Sequence, residues 1–446
     1  MSERLDALLK IIFDRLFGEG PDGSEPSVLV NSKLEAISRS VARLSELYTR
    51  ERADLRHNLL QEPDLRLAYL AYFLPSNFLK INAILEEIWL HPRVKSLLPQ
   101  RLRILDLGCG PGTHLLGCLD FFSEQLRPPE RIECVGVDSL ESNLQDARYL
   151  FHRLAAELSA NVAETDPKPE RFALPDNPSA LLENQCERTL WSLKTYRSDV
   201  SRPLKLKDAS RFDFIILGNV LNELFPGDEQ RIEKRTRRIA ALIQDWLAPN
   251  GFLILMEPAL RETSRELLRV RDCLLDIVPL TVYSPCVHSR PCPAVAPGCT
   301  SDWCHEDRAW QTPSWIRQID ERTGLRKSSL KYSYVVLNRM GLSVRDAALD
   351  LVPSDEQALP VDNQIWRVVS ETLEERGKAA VYLCGFEGRF RVTRLNKHAS
   401  AANADFTSLD RGQVVSAASL VTKSVMDRRV QTETPLRILT GKLKPC

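Results

Sequence analysis

Four cysteines, Cys286, Cys292, Cys299 and Cys304, stand close together in SPCVHSRPCPAVAPGCTSDWCHEDRAW, with five, six and four residues between them. Pro285, Pro291, Pro293 and Pro297 stiffen the same stretch. The spacing does not match the paired C-x2-C knuckles of a zinc ribbon. Thiolates need only converge on one point, and proline restricts the unfolded chain so that convergence costs less. Cysteine beside proline is also found at iron–sulfur sites. A single nucleophilic thiol with His288 or His305 as its base would leave three cysteines unexplained. The residue types therefore favour an iron–sulfur centre, with zinc as the alternative.

A second constellation lies in ILDLGCGPGTHLLGCLDFF, where an apolar run precedes Gly108, Gly110 and Gly112 and an amphipathic stretch follows. A dinucleotide fingerprint wants Gly or Ala where Thr113 stands. The pattern D-x-G-x-G-x-G from Asp106 instead resembles the first motif of class I S-adenosylmethionine-dependent methyltransferases. The resemblance implies that Asp106 faces the cofactor's amino or sulfonium group. Asp138 ends the next strand, VGVD, 26 residues after Gly112, where a carboxylate accepts the ribose hydroxyls. The fourth strand leads into LGNVLNEL, in which Asn219, Asn222 and Glu223 are candidates to line the cofactor pocket, with a helix start as the alternative for Asn222 and Glu223. Neither the Asn/Asp-Pro-Pro-aromatic amine clamp nor a Pro-Cys nucleophile stands there. The catalytic residue is unknown from sequence.

These residues need elements to hold them. Residues 1–100 read as helical: Leu34, Ile37, Val41, Leu44 and Leu47 recur at steps of three and four, and a break is expected near Pro75. From Arg101, short apolar runs (RILDLG, ECVGVD, FDFIILG, GFLILME, LTVYS, YSYVVLN) alternate with amphipathic helices, which predicts a mainly parallel sheet covered on both faces. Glu164–Ala180 is proline-rich and polar and reads as a surface insertion. AAVYLCGFEGRFRVTRLNK and RGQVVSAASLVTK read as strands, the first a hairpin turning around Gly385–Gly388. The expected fold is α/β: a Rossmann-like methyltransferase domain over 101–342, with the Cys-rich metal insertion at 284–310. A helical region precedes it, and a small β domain follows over 343–446, with a five-stranded oligonucleotide-binding barrel as its candidate architecture.

At 446 residues, 43% apolar and 27% charged, the chain is globular in composition. Lys+Arg and Asp+Glu balance at 60 each, yet from Gly388 onward eleven basic residues face four acidic ones. Such asymmetry suits a polyanionic partner or a solvated surface. No apolar run is long enough for a bilayer span, and MSERLDALLKIIFDRLFGEG reads as an amphipathic helix rather than a leader. A cytoplasmic monomer with reduced thiols and no membrane partner is expected.

The segments EPALRETSRELLRVRD, SPCVHSRPCP, DWCHEDRAW and YSYVVLNR resemble the methyltransferase-like family of the small ribosomal subunit, with this chain as a bacterial-type member. The likeness spans roughly Tyr48 to Lys397. Mitochondrial members assist small-subunit assembly, and the family is associated with a four-iron cluster held by four cysteines, three from the insertion and one from the C-terminal β domain. The resemblance implies Cys286 and Cys292 as the first two ligands, Cys304 rather than Cys299 as the third, and Cys384 as the fourth. Read alone, Cys384 is a buried strand cysteine. Cys109, Cys118, Cys134, Cys186, Cys273 and Cys446 read as core or incidental thiols.

The expected function is that of an adenosylmethionine-binding, iron–sulfur, methyltransferase-like protein acting in small-subunit assembly or translation through ribosomal RNA. Arg389, Arg391, Arg394 and Lys397 would contact phosphates. Arg231, Lys234, Arg235, Arg237 and Arg238 form either a second basic face or a solvated helix. The rivals are an active ribosomal RNA methyltransferase and a small-molecule methyltransferase with structural zinc.

Overall fold

The computed structural model describes residues 8, 10–12, 27–49, 58–125, 129–163, 190–206, 210–351 and 364–440. The Glu164–Ala180 stretch, Cys186, Cys446 and most of the N-terminal segment lie outside them. The chain divides into two compact units: Met1–Asn82 with Pro99–Gly218 and Gln311–Ser328, and Ala83–Leu98 with Asn219–Trp310 and Ser329–Cys446. Among the described residues, no helix is long and apolar enough to cross a membrane.

In the first unit, α1 (Ser27–Thr49) buries the whole stripe of Leu34, Ile37, Val41, Leu44 and Leu47. Next come α2 (Pro63–Ala68), a π-helical turn (Tyr69–Phe73) and α3 (Leu74–Trp89), whose residues from Ala83 onward belong to the second unit. The break expected near Pro75 does not occur. Proline cannot donate to the carbonyl four residues back, and that carbonyl, Ala71 O, instead accepts the Trp315 indole N–H at 2.9 Å. With the wider turn just upstream, the chain stays helical through the proline.

Four parallel strands follow in the order β3-β2-β1-β4: β1 (Arg101–Leu107), β2 (Arg131–Asp138), β3 (Leu190–Arg197) and β4 (Phe212–Gly218). Helix α4 (Thr113–Ser123) links β1 to β2, and α5 (Glu141–Ala163) leaves β2. Every residue of β4 is buried, as suits a parallel strand covered on both faces. Strand β3 is only half-buried, which left no apolar run to announce it.

The second unit carries α6 (Arg231–Trp246), β5 (Leu247–Pro258), α7 (Arg261–Ile277), β6 (Thr281–Ser284), β7 (Glu306–Ala309) and β8 (Ser329–Asn338). Here one strand departs from the mainly parallel expectation: β5, β6 and β7 all pair with β8 antiparallel, so these three share a direction and β8 runs against them. An apolar run buried on both faces does not encode its neighbour's direction. Strand β6 ends opposite Val336 and β7 begins opposite Tyr332. The cysteine segment is therefore an excursion between two strands laid along one β8.

A second sheet closes this unit. It contains β9 (Ile365–Val368), β10 (Leu373–Glu375), β11 (Lys378–Gly385), β12 (Gly388–Leu395), β13 (Val414–Ala417), β14 (Val421–Thr422), β15 (Asp427–Val430) and β16 (Leu436–Ile438). Their order is β14-β15-β12-β11-β9-β13-β16, with β10 on β11. Among the described residues eight strands form, not five, and β12 pairs with β15 in parallel; the extra strands are two to four residues long, too short for alternation to mark. Trp366, Val368, Val381, Leu383, Phe390, Val392 and Val415 make its core. Alternation then places Cys384 on the opposite face, level with Arg389 of β12 and Arg367 of β9.

Candidate functional site

The glycine loop lies in the first unit. Gly108, Gly110 and Gly112 have φ of 69°, 52° and 82°, a region that side chains enter only with strain. Gly108 N and Cys109 N donate to Val137 O at 2.7 and 3.0 Å, tying the loop to β2. A Cβ at Gly112 would lie 3.1 Å from Ala147 Cβ, whereas one at Gly110 would meet nothing within 4 Å. Gly112 serves helix packing, and Gly110 keeps an open face.

Asp138 Oδ2 accepts from Gly110 N at 3.0 Å, and its Oδ1 accepts from Leu140 N at 2.8 Å and Asn143 Nδ2 at 3.2 Å. Burial nevertheless pushes the Asp138 carboxyl above its ordinary range. Asp106 is fully buried, and neither of its oxygens has a hydrogen-bond partner. His114 Nδ1 stands 3.4 Å from Asp106 Oδ2, and both of its ring nitrogens also lack hydrogen bonds. Sequence reasoning missed His114. Its signal is Gly218, where a Cβ would sit 2.1 Å from His114 Cε1.

In the second unit, Asn219 holds φ of 61°, which Asn tolerates better than most residues. Asn219 N donates to Met256 O at 2.7 Å, and Asn222 Nδ2 donates to Asn219 O at 3.2 Å and to Glu257 Oε2 at 2.6 Å. A single 3-10 turn, Leu221–Glu223, follows. Glu257, buried and also unforeseen, fixes this turn.

Also within the second unit, Cys286, Cys292, Cys304 and Cys384 line one cavity of about 30 Å³, together with His305, Glu306, Arg367 and Arg389. Cys299 does not line it. Guanidinium groups hold the segment by its backbone: Arg265 donates to Ala294 O, Cys299 O and Asp302 O, each at 2.6 Å. Arg271 donates to Arg290 O at 2.7 Å and His288 O at 3.0 Å. Asp272, next to it on α7, accepts from Cys292 N at 2.9 Å, and Ser333 Oγ caps Cys304 O at 2.6 Å. From the second sheet, Arg411 donates to His305 O at 3.0 Å, and Arg389 contacts both Asp302 oxygens at 2.7 Å.

The thiols feel one another. Burial, then Cys286, pushes the Cys304 thiol up to about 11 against the pull of Arg389. Burial raises Cys292 too, aided by Cys286 and Cys304. Cys384 is raised by burial and then by Cys286, Cys304 and Cys292. A catalytic thiol needs the reverse shift. Among the described residues, no three His, Cys, Asp or Glu side chains converge closely enough to hold a single metal ion.

Three of the four residues expected to contact phosphate have acceptors within the chain. Arg389 is bound to Asp302, Arg391 to Glu375 at 2.7 Å, and buried Arg394 to Asn403 O at 2.9 Å. Lys397 alone of the four is exposed. On α6, Arg231 and Arg235 pair with Glu266 at 2.6 Å, Lys234 with Asp228, and Arg237 with Glu233 at 2.6 Å. Cys109, Cys118 and Cys134 are buried and Cys273 is partly so.

Solved structures similar to this chain include an adenosylmethionine-bound amino pentose methyltransferase, CalS10, from Micromonospora echinaspora: 22% identical over 40% of this chain and 52% of that one, TM-score 0.22. A TehB-like methyltransferase from Corynebacterium glutamicum is 15% identical over 55% and 85%, TM-score 0.25. Magnesium protoporphyrin IX methyltransferase from Synechocystis is 11% identical over 67% and 96%, TM-score 0.27. The chain spans about half the length of the first of these. At such scores the likeness goes no further than the overlap. No curated protein matches the chain. The family model described as mitochondrial small ribosomal subunit Rsm22 matches residues 181–419, more than half of the chain.

Proposed function

The chain belongs to the family of the mitochondrial small ribosomal subunit protein Rsm22, and on that premise we propose a methyltransferase-like protein that acts with the small ribosomal subunit, in its assembly or in translation. In this reading an adenosylmethionine-type cofactor lies on the glycine loop, and Cys286, Cys292, Cys304 and Cys384 hold an iron–sulfur cluster. The observation that carries the reading is the meeting of four thiols from separate stretches of chain at one cavity.

The residues fit such a group. A cluster with four thiolate ligands is anionic, and Arg271 acts on Cys286 and Cys292 while Arg389 acts on Cys304 and Cys384. A four-iron cluster asks less convergence than a single ion, because each thiolate binds its own iron. When bound, the cluster would supply a cross-link and a one-electron couple. Metal uptake must expel the thiol protons, and the arginines favour that loss.

The glycine loop fits its ligand for different reasons. Gly110 leaves its face open, Asp106 offers two carboxylate oxygens without hydrogen bonds, and Asp138 braces the loop while keeping acceptor capacity for ribose. Bound adenosylmethionine would supply a transferable methyl group; no residue is assigned to its transfer. Gly110→Ala should cost roughly 1 kcal/mol of stability through its positive φ, whereas calorimetry should find binding of S-adenosylhomocysteine weakened by about tenfold or more. Equal binding would remove the loop from the site.

Ribosomal RNA is the polyanion for which the basic surplus after Gly388 is suited. The protein should co-sediment with small ribosomal subunits at low salt and leave them as salt rises. Protein that stays at the top of the gradient at low salt would refute the ribosomal reading.

A further inference from the structure

Lys80, on α3 in the first unit, is buried without an acidic partner. It is 7% exposed, and its Nζ donates to Asn77 Oδ1 at 2.8 Å. Among the described residues it has no other hydrogen bond. The charge acting on it is a second cation, Lys327. Burial, reinforced by Lys327, drives its amine well below the ordinary lysine range. Asp320, beside Lys327, already accepts from the Tyr72 hydroxyl and from Lys327 N at 2.8 Å. An ammonium has three donors and seeks an anion when taken out of water.

The polar chain continues past Asn77. Asn77 Nδ2 donates to Tyr69 Oη at 3.4 Å, and that hydroxyl shares a hydrogen bond with Thr113 Oγ1 at 3.2 Å. Thr113 follows Gly112 and opens α4. Farther along, a Cβ at Gly117 would lie 2.2 Å from Ile81 Cγ2 and 2.9 Å from Phe78 O, so the glycine lets α3 and α4 touch. Asn82 Nδ2 then closes on Asp120 Oδ2 at 2.6 Å. Helix α3 thus touches α4 at Gly117, and Lys80 reaches back through Asn77 toward the glycine loop.

We propose that Lys80, with Asn77 and Tyr69, binds an oxyanion at the end of a ligand lying on the glycine loop; for an adenosylmethionine-type cofactor this is the carboxylate of the methionine arm. The inference rests on the cofactor reading above. A carboxylate supplies the counter-charge and the acceptors that Lys80 lacks, and an inorganic phosphate could supply the same.

Wild type and Lys80→Met are titrated with S-adenosylhomocysteine, which carries the carboxylate, and with methylthioadenosine, which lacks it. Lys80→Met should bind the first about tenfold or more weakly and the second within about twofold of wild type. It should melt at or above the wild-type temperature, because a buried amine without a counter-charge is gone. Phosphate that weakens homocysteine-ligand binding in wild type but not in the variant supports the same site with a free anion as occupant. Equal affinities for S-adenosylhomocysteine in the two proteins, or equal losses for both ligands, would overturn the inference. Wild type that binds neither ligand sinks the cofactor reading itself, and this site with it.

Discussion

Cys384→Ser is expected to empty the thiol centre. Iron in anaerobically purified protein should fall from roughly four per chain to well under one, with the brown colour lost. Cys384 sits on the face of β11 turned away from the sheet's apolar core, level with Arg389 and Arg367, and it lines the cavity with Cys286, Cys292 and Cys304. Serine keeps the strand and its packing but replaces a soft thiolate with a hydroxyl that binds iron poorly. Energy released by metal binding at such a site is folding energy, so the variant should also melt well below wild type. Cys299→Ser is the control. Its thiol stands outside the cavity, and it should change neither iron content nor melting. Full iron in Cys384→Ser would place the fourth ligand elsewhere.

Glu87→Gln should cost about 3–5 kcal/mol of stability, the usual effect of breaking a buried ion pair by removing one partner. Glu87, Arg367 and Glu306 are all nearly inaccessible to solvent. Arg367 bridges Glu87 and Glu306, the second at 3.2 Å, and also donates to Tyr334 Oη at 3.1 Å. The glutamine leaves the guanidinium short of one counter-charge where water cannot replace it. Burial alone would raise the Glu87 carboxyl, but Arg367 and Arg308 outweigh it and hold it below its ordinary range. A carboxylate depressed on folding stabilises the protein fully above its unfolded value of about 4.3. That contribution fades as pH falls through the folded value. Wild type should therefore lose stability in acid below about pH 4, and Glu87→Gln should lack this component. Melting curves of both proteins across that range provide the check; a variant within about 1 kcal/mol of wild type would show the network to be dispensable.

Parts of this were readable in the residues. The glycine loop was, because positions that exclude a side chain leave glycine as their mark, and a parallel strand buried on both faces leaves an unbroken apolar run. The direction of β8 was not, since such runs look alike whichever way the neighbour points. Proline at position 75 gave a local signal that the distant Trp315 indole overrode. The basic count after Gly388 was visible, but which arginines were already engaged by Asp302, Glu375 or Asn403 depended on partners far away in sequence. Cys384 by itself is a strand cysteine; its place opposite Arg389 comes from hairpin register. His114, Lys80 and Glu87 belong to no motif and carry no mark in the residues beside them. Only the space around them, as at Gly218 and Gly117, gives them a role.

Iron, zinc and acid-labile sulfide in the anaerobically purified wild-type chain decide whether the four thiols hold a cluster. An iron–sulfur centre requires about four iron and four sulfide per chain, with broad visible charge-transfer absorption and little zinc. One zinc per chain without sulfide, or a colourless protein free of both metals, would contradict it.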